Sequence, residues 1–243
     1  MKKNRNKITL EQKIRELTDP ALQGIGQFPR PWMTRMKNPA AAKILILGKN
    51  QATTYYPSET LTHKRFVNAL FNRKGESCRA LHREITGNNK HSPTRKNIEA
   101  LVAALRRVRR GQRQPILETN VICYSTRKGR DLNKPEHKRG AEVGRQIFRT
   151  ILESVRFRII IVHGKKVGAE LGLVLQSFGW HNRTLPLASE HRPLHIVHLR
   201  GRPNTVVFVI RSLAEPEASS WTKTRPETLR RLARKVRAHL GRA

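Results

Sequence analysis

The hydrophobic residues of this chain fall into short continuous runs separated by longer segments with helical spacing. The clearest run, Lys43-Ile44-Leu45-Ile46-Leu47-Gly48, predicts a buried strand over 42–47 that opens into a polar loop at Gly48. Similar runs predict further strands over 115–124, 157–164, 194–199 and 205–210. Strands that are apolar on both faces are typical of a parallel sheet covered by helices on both sides.

Helical periodicity predicts the elements around these strands. Thr9 and Gln12 have the spacing of a capping box and predict a short helix that ends at Asp19-Pro20. Further helices are predicted over 64–71, 94–110, 135–155, 165–178 and 226–240, and a loop with a short helix over 72–92. This alternation predicts an α/β fold, a three-layer α/β/α sandwich with a central, mostly parallel four-stranded sheet. We expect one domain over 32–243, preceded by a basic N-terminal extension over 1–31.

The charge of the chain narrows the choice of partner. Lys and Arg number 50 against 17 Asp and Glu, a net charge of +33. Such an excess destabilises the compact state unless a polyanion neutralises it, and nucleic acid is the natural polyanion. The alternative is that the basic residues form a solvated surface that binds no nucleic acid. Because no apolar run is long enough to span a bilayer and the chain opens without a secretory signal, we expect no membrane partner. We expect a monomer that is cytoplasmic and associated with the nucleoid.

Metal and redox chemistry are not predicted. The two cysteines, Cys78 and Cys123, are too few for a four-cysteine zinc or iron–sulfur site. His163, His195 and His198 do not have the spacing of a ligand set on one element. The sequence therefore predicts no metal and no organic cofactor.

Polar residues follow three of the predicted strands. Asn50 comes just after the first, Asn120 lies late in the second, and Arg211-Ser212 follows the last. Ligands of open α/β sheets bind outside the carboxyl ends of the strands, so these residues are candidates for one site. The alternatives are structural: Asn50 could cap a turn, and Asn120 could satisfy buried partners.

The order of these segments resembles the uracil-DNA glycosylase superfamily over about 32–240. Its first motif, a strand ending in Gly-x-Asn or Gly-x-Asp, is matched by Gly48-Lys49-Asn50. Its later segments are matched or approximated, in chain order, by Lys64-Arg65-Phe66, by Thr119-Asn120-Val121, by the apolar run 159–164 with Ala169, and by Ile210-Arg211-Ser212. The last segment departs from the family, where this strand normally ends in His-Pro-Ser.

The resemblance implies a DNA repair glycosylase that hydrolyses the N-glycosidic bond of a flipped, deaminated base, either uracil-like or hypoxanthine-like. Asn50 would orient the attacking water, and Asn120 would read the pairing edge of the base. Tyr56 is the first choice for the aromatic platform under the base, with Tyr55 and Phe66 next. The two tyrosines could instead simply pack.

The resemblance also implies contacts with the DNA backbone. Ser212 matches a phosphate-contacting serine, Leu213 is the candidate wedge, and further phosphate contacts are expected from Lys49, Arg127, Lys128 and Arg130. The family's histidine, which stabilises the departing base, is replaced by Ile210, so Arg211 is the candidate for that charge. The competing interpretation is a catalytically impaired protein of this fold that binds DNA, single- or double-stranded, or RNA.

Overall fold

The computed structural model describes residues 9–87, 93–106, 115–181, 183–189, 191–192, 194–214 and 226–241. Eight α-helices and five strands lie within these ranges. In chain order they are α1 (Leu10–Leu17), α2 (Pro20–Gln23), β1 (Ile44–Gly48), α3 (His63–Leu70), α4 (Cys78–Ile85), α5 (Pro93–Arg106), β2 (Ile116–Asn120), α6 (Pro135–Ser154), β3 (Ile159–His163), α7 (Lys165–Ser177), β4 (Leu194–His198), β5 (Val206–Ile210) and α8 (Pro226–Gly241).

The five strands form one sheet in the order β2-β1-β3-β5-β4. Neighbouring strands are parallel except for β4, which pairs antiparallel with β5 at the edge. The chain passes from β1 outward to β2 and then returns to the other side of β1 to form β3. This reversal makes the carboxyl ends of β1 and β3 the switch point of the sheet, where open α/β folds bind their ligands.

The side chains of each strand alternate between two hydrophobic layers, which explains the apolar runs. Leu45 and Leu47 of β1 face the larger layer, with α1, α3, α4, α6 and α7. Ile44 and Ile46 face the smaller layer, built mainly from α5 and α8. The predicted three-layer α/β/α sandwich with a mostly parallel sheet is therefore confirmed. The expected count of four strands was too low, because β4 and β5 pair as a hairpin and add an antiparallel edge strand.

Local signals explain where several helices begin. Thr9 caps α1, and its side chain and that of Gln12 bond reciprocally to the backbone, as the capping box predicted. Asp19 caps α2 by accepting from the next two backbone N–H groups. The end of the predicted helix over 94–110 and the first eight residues of the predicted N-terminal extension lie outside the described residues.

The described part of the N-terminal segment packs into the main core. Ile14 and Leu17 of α1 and Phe28 of the following connector are buried in the larger hydrophobic layer. A proline-rich connector then crosses to β2, where the backbones of Met33 and Glu118 exchange hydrogen bonds. None of the helices in the described ranges has the length and apolarity needed to cross a bilayer.

Candidate functional site

A cavity of about 820 Å³ lies at the switch point of the sheet. Its floor is formed by residues at the carboxyl ends of three parallel strands, namely Gly48, Asn120 and His163. Ser212, just after β5, lines it as well. Its remaining walls come from the connector before β1 and from α4, α5 and the first turn of α7. The cavity is therefore placed where the topology predicts a ligand.

Asn120 and His163 meet over Gly48. A Cβ built on Gly48 would lie 2.5 Å from Oδ1 of Asn120 and 3.4 Å from Nε2 of His163. Only glycine leaves room for both groups, which explains the residue that ends β1. Within the described part of the chain, the Asn120 carboxamide has no hydrogen-bond partner, so both its donor and its acceptor are available to a ligand.

The imidazole of His163 is a buried neutral donor. Its Nδ1 accepts a hydrogen bond from the backbone N–H of Leu213 at 3.4 Å, which assigns the proton to Nε2. Nε2 has no partner among the described residues although the side chain is buried. Burial lowers the pKa of His163 to about 4, so the ring is uncharged near neutral pH. An unpartnered buried donor at a cavity wall indicates a ligand that accepts a hydrogen bond there.

Asn50 lies at the rim of the same cavity and joins two loops. Its Nδ2 donates to Oγ1 of Thr126 at 3.0 Å and to the carbonyl of Gln51 at 3.3 Å. Both N–H groups of the amide are thus engaged, and Oδ1 remains as the acceptor. These bonds join the two loops, as expected for a structural role of Asn50, and the same bonds fix the orientation of Oδ1.

Lysine 49 ties the basic exit loop of β2 to this rim. Nζ of Lys49 donates to the carbonyl of Gly129 at 3.2 Å. Burial, and then the charge of Lys166, lower the pKa of Lys49. The backbones of Val121 and Ile122 also donate to the carbonyls of Gly48 and Lys49, which holds the two exit loops side by side.

The cavity is strongly cationic. It is lined by six basic residues: Arg30, Lys49, Arg83, Arg95, Lys165 and Lys166. Among the described residues Glu118 is the one carboxylate that lines it, and Glu118 forms ion pairs with Arg79 and Arg95. Lys165 and Lys166 stand in the first turn of α7, where the positive end of the helix dipole adds to their charge. The ligand that suits this cavity carries negative charge.

Several predicted residues come together here and others do not. Asn50, Asn120, Lys49 and Ser212 all line the cavity. The other members of the predicted phosphate group, which are Arg127, Lys128 and Arg130, are exposed on the adjoining loop and do not line the cavity. Arg211 is half-buried and also does not line it.

The aromatic platform was predicted wrongly. Tyr55 is buried behind the connector, where its hydroxyl accepts from Arg30 at 2.7 Å and bonds to Nδ1 of His82 at 2.9 Å. Tyr56 does not line the cavity and is 66% exposed. Phe66 stacks on Phe28 in the core, with ring centroids 4.7 Å apart. Tyr55 therefore acts indirectly, by fixing Arg30 and His82, which do line the cavity.

The predicted wedge is also wrong. Leu213 has no exposed surface and packs in the smaller hydrophobic layer, which contains Leu229 and Leu232 of α8. A side chain held in the core cannot enter a DNA stack. The backbone of Leu213 matters instead, because its N–H fixes the tautomer of His163.

Sequence reasoning missed three kinds of group at the site. His163 was considered only as a metal ligand, although it ends an apolar run before Gly164, as Gly48 ends the first. Glu118 lies inside a predicted strand and Trp32 lies in the segment before the first strand, and neither was singled out from the sequence, although both line the cavity. Among the described residues, no three His, Cys, Asp or Glu side chains converge as a metal-ligand set.

Comparison of the sequence with protein-family models found no match, and comparison with curated proteins found none either. The function is therefore inferred from the geometry of this cavity and from the resemblance of the sequence motifs to the uracil-DNA glycosylase superfamily.

Proposed function

We propose that this chain is a DNA glycosylase of the uracil-DNA glycosylase type, which hydrolyses the N-glycosidic bond of a deaminated base flipped into the switch-point cavity. The observation that carries the proposal is the pair of polar groups over Gly48, the unpartnered carboxamide of Asn120 and the unpartnered Nε2–H of His163. Their donors and acceptor suit the pairing edge of a nucleobase, which glycosylases read in this way.

Each residue has a separate role in the proposed reaction. Asn120 donates to one edge atom of the base and accepts from another. His163 donates from Nε2 to a carbonyl oxygen of the base, which gains negative charge as the bond to the sugar breaks. Asn50 accepts from a water through Oδ1 and directs it towards the sugar carbon, where positive charge develops. The cationic rim, with Ser212, holds the phosphates of the flipped nucleotide.

His163 takes over the function that the sequence assigned to Arg211. The neutral imidazole already carries its proton on Nε2, so it can donate a hydrogen bond to the departing base without first gaining a proton. Arg211 does not line the cavity, so the charge it offers is farther from the base. The donor thus comes from β3 rather than from the segment after β5.

The test is base release from duplexes that each carry one uracil, hypoxanthine or xanthine, measured as free base and as strand cleavage at the abasic site. We expect release from at least one duplex, and a loss of about 10²–10³ in rate for His163→Ala, the range for removing one such donor. Asn120→Ala and Asn50→Ala should also lose release while keeping their affinity for undamaged duplex. Gln146→Ala, on the exposed face of α6, is the matched control.

Two outcomes would overturn parts of the proposal. Absence of free base from every duplex would refute the glycosylase. Release that survives His163→Ala but is abolished by Arg211→Ala would return the role to Arg211.

A nucleic-acid-binding protein without catalysis is the second candidate, and one observation favours it. Glu118, the carboxylate at the cavity wall among the described residues, is held by two arginines and cannot serve as a general base. For such a protein, Asn50→Ala would change neither release nor affinity, and DNA and RNA would bind alike. In either case an association with the nucleoid follows from the partner.

A further inference from the structure

A second cleft, of about 990 Å³, lies beside the switch-point cavity. It is bounded by the connector around Thr34, by the turn from Asn72 to Ser77, and by the facing sides of α4 and α5. Its lining includes five exposed basic residues: Arg35, Lys37, Arg73, Lys74 and Arg83. We call it the basic cleft.

The acidic residues of the basic cleft are already engaged. Glu76 forms an ion pair with Arg65 at 2.9 Å, and Glu99 pairs with Arg79 at 3.1 Å and with Arg95 at 3.4 Å. In the described part of the chain, these two are the only carboxylates that line the basic cleft. Arg73 pairs with Glu11, outside the cleft, at 2.7 Å, so among the described residues the uncompensated positive charge comes from the other four exposed basic residues, Arg35, Lys37, Lys74 and Arg83.

Two lysines of the basic cleft are available to an external anion. No carboxylate of the described residues lies within 4 Å of Lys37 or Lys74. Both side chains are exposed, so each can form a hydrogen-bonded contact with a phosphate without breaking an internal ion pair.

The backbone of the basic cleft is held in an unusual conformation. Asn72 and Lys74 both have positive φ, at 50° and 53°. The side chain of Asn72 pins the turn to the connector by donating to the carbonyls of Met36, at 2.8 Å, and Thr34, at 3.4 Å. Positive φ at residues other than glycine costs energy and is maintained where the surrounding structure fixes it, commonly at functional sites. The turn thus holds Lys74 and the connector lysine, Lys37, on the same cleft.

The basic cleft adjoins the switch-point cavity, since Arg83 lines both. The wall between them contains Glu118, which binds Arg79 on the cleft side and Arg95 on the cavity side. A ligand that extends from the cavity over Arg83 enters the basic cleft directly.

We propose that the basic cleft binds the phosphodiester backbone of nucleic acid on one flank of the nucleotide that occupies the cavity. This proposal depends on the proposed function only for the identity of the nucleotide in the switch-point cavity. The binding of a strand in the basic cleft does not depend on it. The basic cleft is positively charged, exposed and next to the cavity, as the binding of a polyanionic strand requires. The net charge of +33 favours a polyanionic partner for the chain as a whole. DNA and RNA share this backbone, and the experiment separates them.

The test compares two double variants of equal charge. Lys37→Gln with Lys74→Gln removes two cations from the basic cleft, whereas Lys138→Gln with Arg149→Gln removes two exposed cations from α6, which lines neither cavity. Binding to a fluorescent undamaged duplex is measured between about 50 and 200 mM salt, the range over which counterion release is resolved. The slope of log K against log[salt] is negative, and each lost phosphate contact reduces its magnitude by about 0.9, so the magnitude should fall by about 1.8 in the cleft variant and stay unchanged in the control.

Flank truncation then locates the contact. Duplexes carrying a modified base are shortened on the 5′ or the 3′ side of that base. One of the two truncations should make wild-type protein bind no better than the cleft variant, because the strand that fills the basic cleft is gone. Equal slopes for the cleft variant and the control, or equal effects of both truncations, would overturn the assignment.

The same measurements distinguish this proposal from the glycosylase. A reduced slope for the cleft variant in a protein that releases no base would support the basic cleft and refute the glycosylase. Release of base by wild-type protein, together with a cleft variant that binds like wild type, would support the glycosylase and refute the basic cleft. Repeating the titration with duplex RNA identifies the source, since a reduced slope with only one nucleic acid assigns the cleft to that one.

Discussion

The buried neutral imidazole of His163 makes a quantitative prediction about stability. Its pKa is about 4 in the folded chain, whereas an exposed histidine titrates near 6.5. Between these values the unfolded chain binds a proton at this residue that the folded chain does not bind. The free energy of unfolding is therefore unaffected above pH 6.5 and decreases as the pH falls towards 4.

The size of the effect follows from the two pKa values. At about 1.4 kcal/mol per pH unit, the burial of His163 removes about 3 kcal/mol of stability on going from pH 7 to pH 4. His163→Gln replaces the imidazole with a side chain that does not titrate. The variant should therefore lose about 3 kcal/mol less than wild type over this range, since the other titrating groups are common to both.

The assay is urea unfolding followed by circular dichroism at several values between pH 4 and pH 7. Urea is uncharged and leaves the electrostatic interactions unscreened. Val162→Ala, one position earlier on β3, is the control for a destabilised strand with no titrating group, and its difference from wild type should not vary with pH. If the difference between wild type and His163→Gln is also constant across this range, the assignment of His163 as a buried neutral base is refuted.

Three further substitutions, one of them with a control, test the architecture of the site. Gly48→Ala places a methyl group 2.5 Å from Oδ1 of Asn120, so it should cost about 1–3 kcal/mol of stability in calorimetry and abolish base release. The control is Gly168→Ala, whose methyl group meets nothing within 4 Å and should stabilise α7 by up to about 1 kcal/mol; similar melting temperatures for the two variants would contradict this. Glu118→Gln should cost about 2–3 kcal/mol in urea unfolding, less than a fully buried pair because its arginines are partly exposed, and an unchanged midpoint would show that the ion pairs contribute little. Tyr55→Phe removes the hydroxyl that joins two cavity side chains and should cost about 1–2 kcal/mol, measured in the same way, with no loss expected if that hydroxyl is dispensable.

The fold was predictable because the four parallel strands are buried on both faces. A run such as 44–47 is apolar at every position, and this pattern can be satisfied only between two helical layers. The antiparallel edge was harder to predict. The turn before Thr205 indicates that β4 and β5 are neighbours, but the apolar pattern does not show whether the pair extends the sheet.

The position of Asn50 and Asn120 near one cavity was predictable from topology, since each lies at the carboxyl end of a parallel strand. The same rule predicts a cavity position for His163, which ends β3 directly before Gly164. It was missed because histidine was weighed by the spacing of metal ligands rather than by its place at a strand end. Its tautomer depends on a backbone N–H 50 residues away and its low pKa depends on burial in the folded chain, and neither can be predicted from the sequence.

The aromatic residues and Leu213 show a limit of the sequence. Tyr55 and Tyr56 are adjacent and chemically identical, yet one is 2% and the other 66% exposed. Nothing in a loop without periodicity determines which ring turns inward. Leu213 follows a polar residue at a strand end, and its burial depends on α8, which begins at Pro226.

Glu118 has a consequence for how this chain uses its few acidic side chains. A protein with 50 basic and 17 acidic residues would be expected to spread its carboxylates where repulsion is greatest. Here the carboxylate of Glu118 lies in the wall between the switch-point cavity and the basic cleft, and it forms an ion pair with one guanidinium on each side. The single negative charge of Glu118 therefore fixes one guanidinium beside the switch-point cavity and another beside the basic cleft.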